Sequence, residues 1–246
     1  MLIIFRIIQE TFAIVTAELR NNKLRTFLSL LGVTIGILCI ISVLSAVDSL
    51  RQNIDKGVAK LGTDMMYIQR WPWSFGGEEY AWWEYLKRPV MTYEEYKLLH
   101  EKLELADGVA IENWFNSREV KYRDKLVRNV TVSAVSEDYD KVYTMNYASG
   151  RYFSPLESAS GSAVALIGYE VGQKLFPNEE AVGKFIWVLG RKMKVVGLIE
   201  KEGESLMDVS QDNNILIPYN YARRTMDMKG PGIDPAIEVN PRDGVD

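Results

Sequence analysis

Histidine and cysteine are almost missing from this chain, with one of each in 246 residues. A single cysteine, Cys39, excludes an intramolecular disulfide and any thiolate metal site built by the chain alone. With His100 as the only imidazole, most histidine-based metal sites go as well, and a Ser-His-Asp triad has little room. His100 lacks a neighbouring cysteine, second histidine or placed carboxylate in sequence, so a structural role is expected. No Walker motif is present: Gly183-Lys184 is followed by Phe185, and no glycine stands five positions ahead. P-loop hydrolysis of ATP by this chain is thereby excluded. GxSxG elbows and HExxH signatures are missing too. There is no basic block, and a net charge of −4 argues against nucleic acid. Paired acids occur at Glu78-Glu79, Glu94-Glu95, Asp138/Asp140 and Glu179-Glu180. They read as solvated surface, with a divalent site at Asp138/Asp140 the weaker alternative. No enzymatic chemistry is expected.

What the chain does have is one long apolar run. Phe27 to Val47 contains twenty-one residues without a charge. As a helix at about 1.5 Å per residue it spans roughly 30 Å, the hydrocarbon thickness of a bilayer. Backbone amides cannot go unpaired in lipid, so the run must be helical. A cleaved signal peptide fits less well, because its apolar core is usually about 7–15 residues and Leu44-Ser45-Ala46 is a poor cleavage site. Arg20, Lys23 and Arg25 precede the span and Arg51 follows it, a close-in bias that favours a cytoplasmic N-terminus, whereas over about fifteen positions Lys56 and Lys60 make the two sides equal. Ser29, Gly32, Gly36, Cys39 and Ala46 place small residues on one helix face, and Gly32/Gly36 form a GxxxG suited to close helix packing. The plainer reading is that glycine is common in membrane helices. Upstream, Ile4, Ile8, Phe12, Val15 and Leu19 recur at helical spacing, predicting an amphipathic helix at the membrane surface.

The remaining two hundred residues have the aromatic and β-branched content to build a core. Helical register continues past the span through Leu50, Ile54 and Val58 to Gly62, and a strand is predicted at 65–69. Residues 71–89 read as a loop holding four of the six tryptophans. Trp71, Trp73, Phe75, Trp82 and Trp83 fit a small local core or a partner or substrate surface. Thr92 with Glu95 marks a capping box opening a helix to about residue 105. Alternation over 119–136 around Arg123-Asp124 predicts a hairpin, and the all-apolar run 164–167 a strand buried on both faces. A short helix through Val171 and Leu175 should end at Pro177, and a second hairpin should turn at Gly190-Arg191. Further strands are predicted at 214–218 and 236–239. Mixed short strands and helices without regular βαβ alternation give an α+β domain on a single N-terminal membrane helix.

The order of motifs resembles a MacB-like/FtsX-type ABC transporter permease. Asn22-Lys23-Leu24-Arg25-Thr26 leads into the span, and Leu61-Gly62-Thr63-Asp64 is similar to the family's LGTN. Met91 to Glu95 and Asp107-Gly108-Val109 resemble its LT-x-x-D and PGV stretches. Gly150-Arg151-Tyr152-Phe153 matches GRxF. Val164 to Gly168, Leu175-Phe176-Pro177 and Val182-Gly183-Lys184 match VxVIG…LFP…VGK. Val195-Val196-Gly197 and Leu216-Ile217-Pro218 match VVG and IxIP. No single motif is specific; their order is. The resemblance implies a cytoplasmic-face helix (1–25), a transmembrane helix (26–48) and an extracytoplasmic core domain (49–246) of one or two subdomains. It implies a bacterial inner-membrane protein that carries no cofactor, with ATP bound by an ABC ATPase partner. A second permease copy (homo- or heterodimer), membrane lipid and room for a periplasmic adaptor protein complete the implied partners. ATP cycles would move the extracytoplasmic domain to export or extract substrate. Family members carry three further membrane helices, so the chain is expected to be a fragment or a remnant. The alternative is a membrane-anchored binding or sensor module with no transport activity.

Overall fold

The computed structural model describes residues 6–7, 9–12, 14, 20, 22–61, 65–72, 82–202, 210–228, 230 and 233–242. It divides into two compact units, Met1–Ile54 and Asp55–Asp246. The first holds most of helix α1 (Lys23–Leu61), which is unbroken over 39 residues. Its segment Lys23–Gln52 is long and apolar enough to cross a membrane, with a mean hydropathy of 2.6. Leu30, Leu38, Ile40 and Val43 on it are all more than half exposed. Apolar side chains left outward around a whole helix are what lipid, not water, accommodates. Of the predicted amphipathic helix, Arg6, Ile7, Phe12 and Ile14 are helical, while Ile4, Ile8, Val15 and Leu19 lie outside the described residues.

The second unit is built on a nine-stranded mixed sheet. Its elements are β1 (Met66–Ile68), α2 (Trp82–Tyr85), α3 (Tyr93–Lys102), β2 (Ala106–Tyr122), β3 (Lys125–Val135), α4 (Tyr139–Val142), β4 (Tyr147–Gly150), α5 (Pro155–Ser160), β5 (Val164–Ile167), α6 (Tyr169–Leu175), β6 (Phe185–Val188), β7 (Arg191–Ile199), β8 (Asn214–Pro218), α7 (Tyr219–Thr225) and β9 (Ala236–Pro241). Strand order is β1-β9-β2-β3-β8-β5-β7-β4. β6 pairs with both β7 and β2, so the path β2-β3-β8-β5-β7-β6 returns to β2. The closing junction rests on Val120↔Val188 and Lys121↔Trp187. β3–β8 and β5–β7 are parallel, the latter bridged by α6 and β6 in sequence.

Two apolar clusters lie on opposite faces of this sheet. The larger takes alternate residues, among them Val109, Ile111, Val120, Val132, Ile186 and Met193, together with Val171 and Leu175 of α6. The smaller packs Ala110, Val135, Leu166 and Leu216 beneath Tyr139 and Val142 of α4 and Tyr152-Phe153. A period-2 strand with both faces covered reads as an all-apolar run, which is why β5 is buried at every position. Each such side chain contributes roughly 1.5–3 kcal/mol.

Three sequence expectations shift. The 71–89 loop contains a helical turn at Trp82–Tyr85. α3 ends at Lys102, capped by Leu103, instead of reaching residue 105. The β6–β7 turn is Leu189-Gly190, one residue earlier than expected, because Val188 pairs with Arg191. Leu189 and Gly190 take φ of 50° and 74°, the paired positive angles of a type I′ turn.

Candidate functional site

A cleft of about 820 Å³ lies beside α3 and α7 of the core unit. α3 is fixed at its start by the capping box. Glu95 N donates to Thr92 Oγ1 at 3.3 Å, and Thr92 N donates to Glu95 Oε2 at 2.7 Å. This sets Tyr93 flat against Tyr219 of α7, with ring centroids 5.6 Å apart and planes 8° from parallel. The Arg223 guanidinium lies 3.7 Å from the Tyr93 ring centroid and 3.8 Å from Glu94 Oε1. Met91, Met226, Met228 and Ile233 supply the apolar wall. At the other end, Arg70 Nη1 donates to Asp234 Oδ1 at 3.0 Å, and its Nε donates to the Tyr85 carbonyl at 3.0 Å, with Nη2 donating to the Leu86 carbonyl. Flexible thioethers adapt to irregular apolar shapes. The cleft is therefore suited to holding an apolar group. Among the described residues no three His, Cys, Asp or Glu side chains are arranged to hold a metal ion.

A second polar centre is buried under α4. Glu112 of β2 and Glu238 of β9 are 2% and 1% exposed. They sit diagonally across paired strands, since Ala110 opposes Glu238 and Glu112 opposes Ala236. Tyr143 Oη donates to Glu238 Oε1 at 3.1 Å, and Tyr67 Oη lies 3.2 Å from Tyr143 Oη. Burial pushes the Glu112 carboxyl up to about 7, against hydrogen bonds that favour its charge. Burial, and then the charge of Glu112, push Glu238 well above the carboxylate range. Two carboxyls shut away together hold protons that water would remove.

The residues singled out in sequence fall in different places. Ser29, Gly32, Gly36, Cys39 and Ala46 are exposed along α1, and beyond the adjacent residues and the helix's own backbone nothing lies within 4 Å of a Cβ built on Gly32 or Gly36. Trp71 is half-buried, its Nε1 donating to Asp234 Oδ2 at 3.0 Å and its ring stacked 6.5 Å from Tyr85. Trp83 is 55% exposed. Trp82 opens α2, while its side chain, with Trp73 and Phe75, lies outside the described residues. His100 does meet a placed carboxylate: its Nε2 is 3.0 Å from Asp138 Oδ2, delivered by the chain beyond β3. The other oxygen of Asp138 holds Lys141 Nζ at 2.7 Å, so Asp138 is spent on a cross-link between α3 and α4. Sequence reading missed Tyr219, Arg223, Met226 and Met228. Their only linear signal was an aromatic-arginine-methionine run after the 214–218 strand.

Comparison with known proteins places this geometry. The model of the MacB-like periplasmic core domain matches residues 26–246. The chain belongs to that family. Among curated relatives, the macrolide export ATP-binding/permease protein MacB of Marinobacter nauticus is 26% identical over 213 residues, covering 86% of this chain and 31% of its own length. The pyoverdine export ATP-binding/permease protein PvdT of Pseudomonas syringae pv. syringae is 27% identical over 208 residues, covering 82% and 29%. This MacB-like chain thus spans about a third of the relatives it matches. In fold it is similar to the periplasmic region of MacB from Actinobacillus actinomycetemcomitans, with a TM-score of 0.60 at 17% identity over 77% of this chain and 79% of that one. The extracellular domain of the transporter YknZ gives a TM-score of 0.52 at 18% identity, over 63% and 75%. The chain thus joins a MacB-like periplasmic core domain to one helix long and apolar enough to cross a membrane.

Proposed function

We propose that this chain is the membrane-anchoring front of an ATP-driven export permease in the bacterial inner membrane, moving its core domain in response to a partner's ATPase cycles. The observation that carries this is the single match from residue 26 to 246, which takes the apolar helix and the core domain together as one family unit. α1 supports it, being continuous from the apolar span to Leu61. A helix without a break transmits displacement with little loss, whereas a glycine- or proline-rich linker absorbs it. ATP is bound by the ABC ATPase partner. A second permease copy packs at the Ser29/Gly32/Gly36/Cys39/Ala46 face, where a close approach substitutes for the missing hydrophobic drive in lipid. A periplasmic adaptor docks on the core domain, and the cleft beside Tyr93 or the aromatic loop holding Trp71, Trp73, Phe75, Trp82 and Trp83 meets cargo.

The test is photolabelling with azido-ATP after mild detergent extraction of the full chain from its native membrane. A labelled ABC ATPase subunit that co-purifies stoichiometrically, and whose hydrolysis rate changes when this chain is removed, is the expected result. Recovery of the chain without any labelled partner would sink the transport reading. The Met-lined cleft would then favour the anchored binding module.

A further inference from the structure

Sheet faces turned to water are ordinarily polar, and one sector of this sheet is not. Around the closing junction, Leu126 of β3 is opposite Lys121 of β2, Lys121 is opposite Trp187 of β6, and Trp187 is opposite Lys192 of β7. With strands about 4.8 Å apart, these four side chains make a row on the order of 14 Å long. It alternates apolar, cationic, apolar, cationic. Phe185 opposite Lys194 begins a second row. The intervening residues Val120, Val127, Ile186, Val188 and Met193 turn inward and are buried. A one-residue slip would expose that core, so the outward set is fixed by register. Leu126 is 44% exposed and Phe185 and Trp187 are 50% exposed each.

Charge on this sector is one-sided. Glu119 is held by Arg128 at 2.9 Å and Glu179 by Arg123 and Lys184 at 3.6 and 3.4 Å. Lys192 Nζ sits 4.6 Å from the Phe185 ring centroid. Lys121 and Lys194 have no carboxylate partner among the described residues. A chain of net charge −4 thus carries a cationic, aromatic-studded patch, with a depression of about 620 Å³ over it lined by Lys121, Arg123, Leu126, Trp187, Gly190 and the Arg128-paired Glu119. Farther along the sheet this outward face is covered by α4 and the smaller core. Here it is bare.

We infer that this sector is a docking surface for an acidic, amphipathic segment of another protein. The partner's apolar side chains cover Trp187, Phe185 and Leu126, and its carboxylates meet Lys121, Lys192 and Lys194. Aromatic residues flanked by cations are the groups that concentrate binding energy at interfaces. Complementary charge speeds encounter and fixes register. A polypeptide is favoured over a lipid headgroup layer by shape. The aromatics lie within a sheet plane backed by core, whereas interfacial anchoring needs an apolar element that penetrates the headgroups. The inference is independent of the ATPase coupling proposed above.

The test uses the full chain in zwitterionic nanodiscs and fluorescence anisotropy. The probes are a short end-blocked peptide alternating glutamate with leucine and serine, and its lysine counterpart. Saturable binding of the acidic peptide alone, weakened by salt, is expected. K121E/K192E should lower that affinity about tenfold or more and gain binding of the lysine peptide, a gain that a misfolded variant cannot give. W187A should weaken the acidic peptide without changing its salt dependence. Equal binding of both peptides, or variants that bind like the parent, would overturn the inference. Binding of anionic vesicles in place of the peptide would overturn it as well, and assign the patch to lipid.

Discussion

A carboxylate closed off from water keeps its proton to higher pH, and Glu112 does so beside a second buried acid, Glu238. Its folded value of about 7 stands against an ordinary 4.5. Between those values the folded chain holds a proton that the unfolded chain has lost. Unfolding free energy therefore falls as pH rises through this window, by on the order of 1.4 kcal/mol per unit, and levels off above it. E112Q, which keeps the shape and removes the charge, should be more stable than the parent at pH 8 and lose the Glu112 share of this slope, leaving the share that the buried Glu238 contributes. Urea titrations of the full chain in detergent at pH 5 and pH 8 check this, and parallel curves for variant and parent would refute it. Gly150 is a second residue with a specific demand. At φ +80 its built Cβ lies 2.3 Å from the Val196 carbonyl oxygen, which is backbone and cannot swing aside. G150A should cost about 2–3 kcal/mol, read as a lowered urea midpoint. Loss of less than about 0.5 kcal/mol would show that the Gly150 turn is not required.

Short helices at the edges of this domain depend on their first turn, because few residues share the cost of nucleation. α5 shows it: Glu157 N donates to Ser154 Oγ at 3.3 Å, and Ser154 N donates to Glu157 Oε2 at 2.8 Å, with Pro155 opening the helix. Arg151 Nη1 then donates to the same Glu157 oxygen at 2.7 Å and, with the capping groups, holds that carboxyl down to about 2. S154A should cost about 1 kcal/mol, and a proteolysis assay should show earlier cutting near residue 160. An unchanged cleavage pattern would argue that α5 is held by packing alone. Such caps are local, and so they are legible: Thr92-x-x-Glu95 announced α3, Arg123-Asp124 announced the β2–β3 hairpin, and the apolar run at 164–167 announced a doubly covered strand. Ser154-Pro155-x-Glu157 carried the same signal and was passed over. The turn at Leu189-Gly190 was misplaced by one because leucine rarely takes a positive φ, and only pairing of Val188 with Arg191 settles it. Illegible features are those that join distant segments. Nothing local brings Glu112 to Glu238, Arg70 to Asp234, or β3 beside β8. The cleft and the buried acid pair arise from such pairings, as does the row from Leu126 to Lys192.

For the whole molecule, the decisive property is which side of a membrane each unit occupies. Lys23–Gln52 can span, and the family's core domain is periplasmic by name. The single cysteine offers a clean probe of both statements. Cys39 sits well inside the apolar stretch, where a membrane-impermeant maleimide cannot follow. In intact spheroplasts the parent chain should therefore stay unlabelled. L156C in a C39A background places a thiol at a position 77% exposed at the start of α5, far in sequence from the span. That thiol should label fully before lysis, with no increase after permeabilisation. Labelling of L156C only after lysis would put the core domain in the cytoplasm, against both the close-in basic bias at Arg20, Lys23 and Arg25 and the proposed mechanism. Labelling of Cys39 in intact cells would show instead that α1 does not lie in lipid. Its exposed apolar surface would then have to be covered by protein, and a coupling stalk fixed in the membrane would lose its basis.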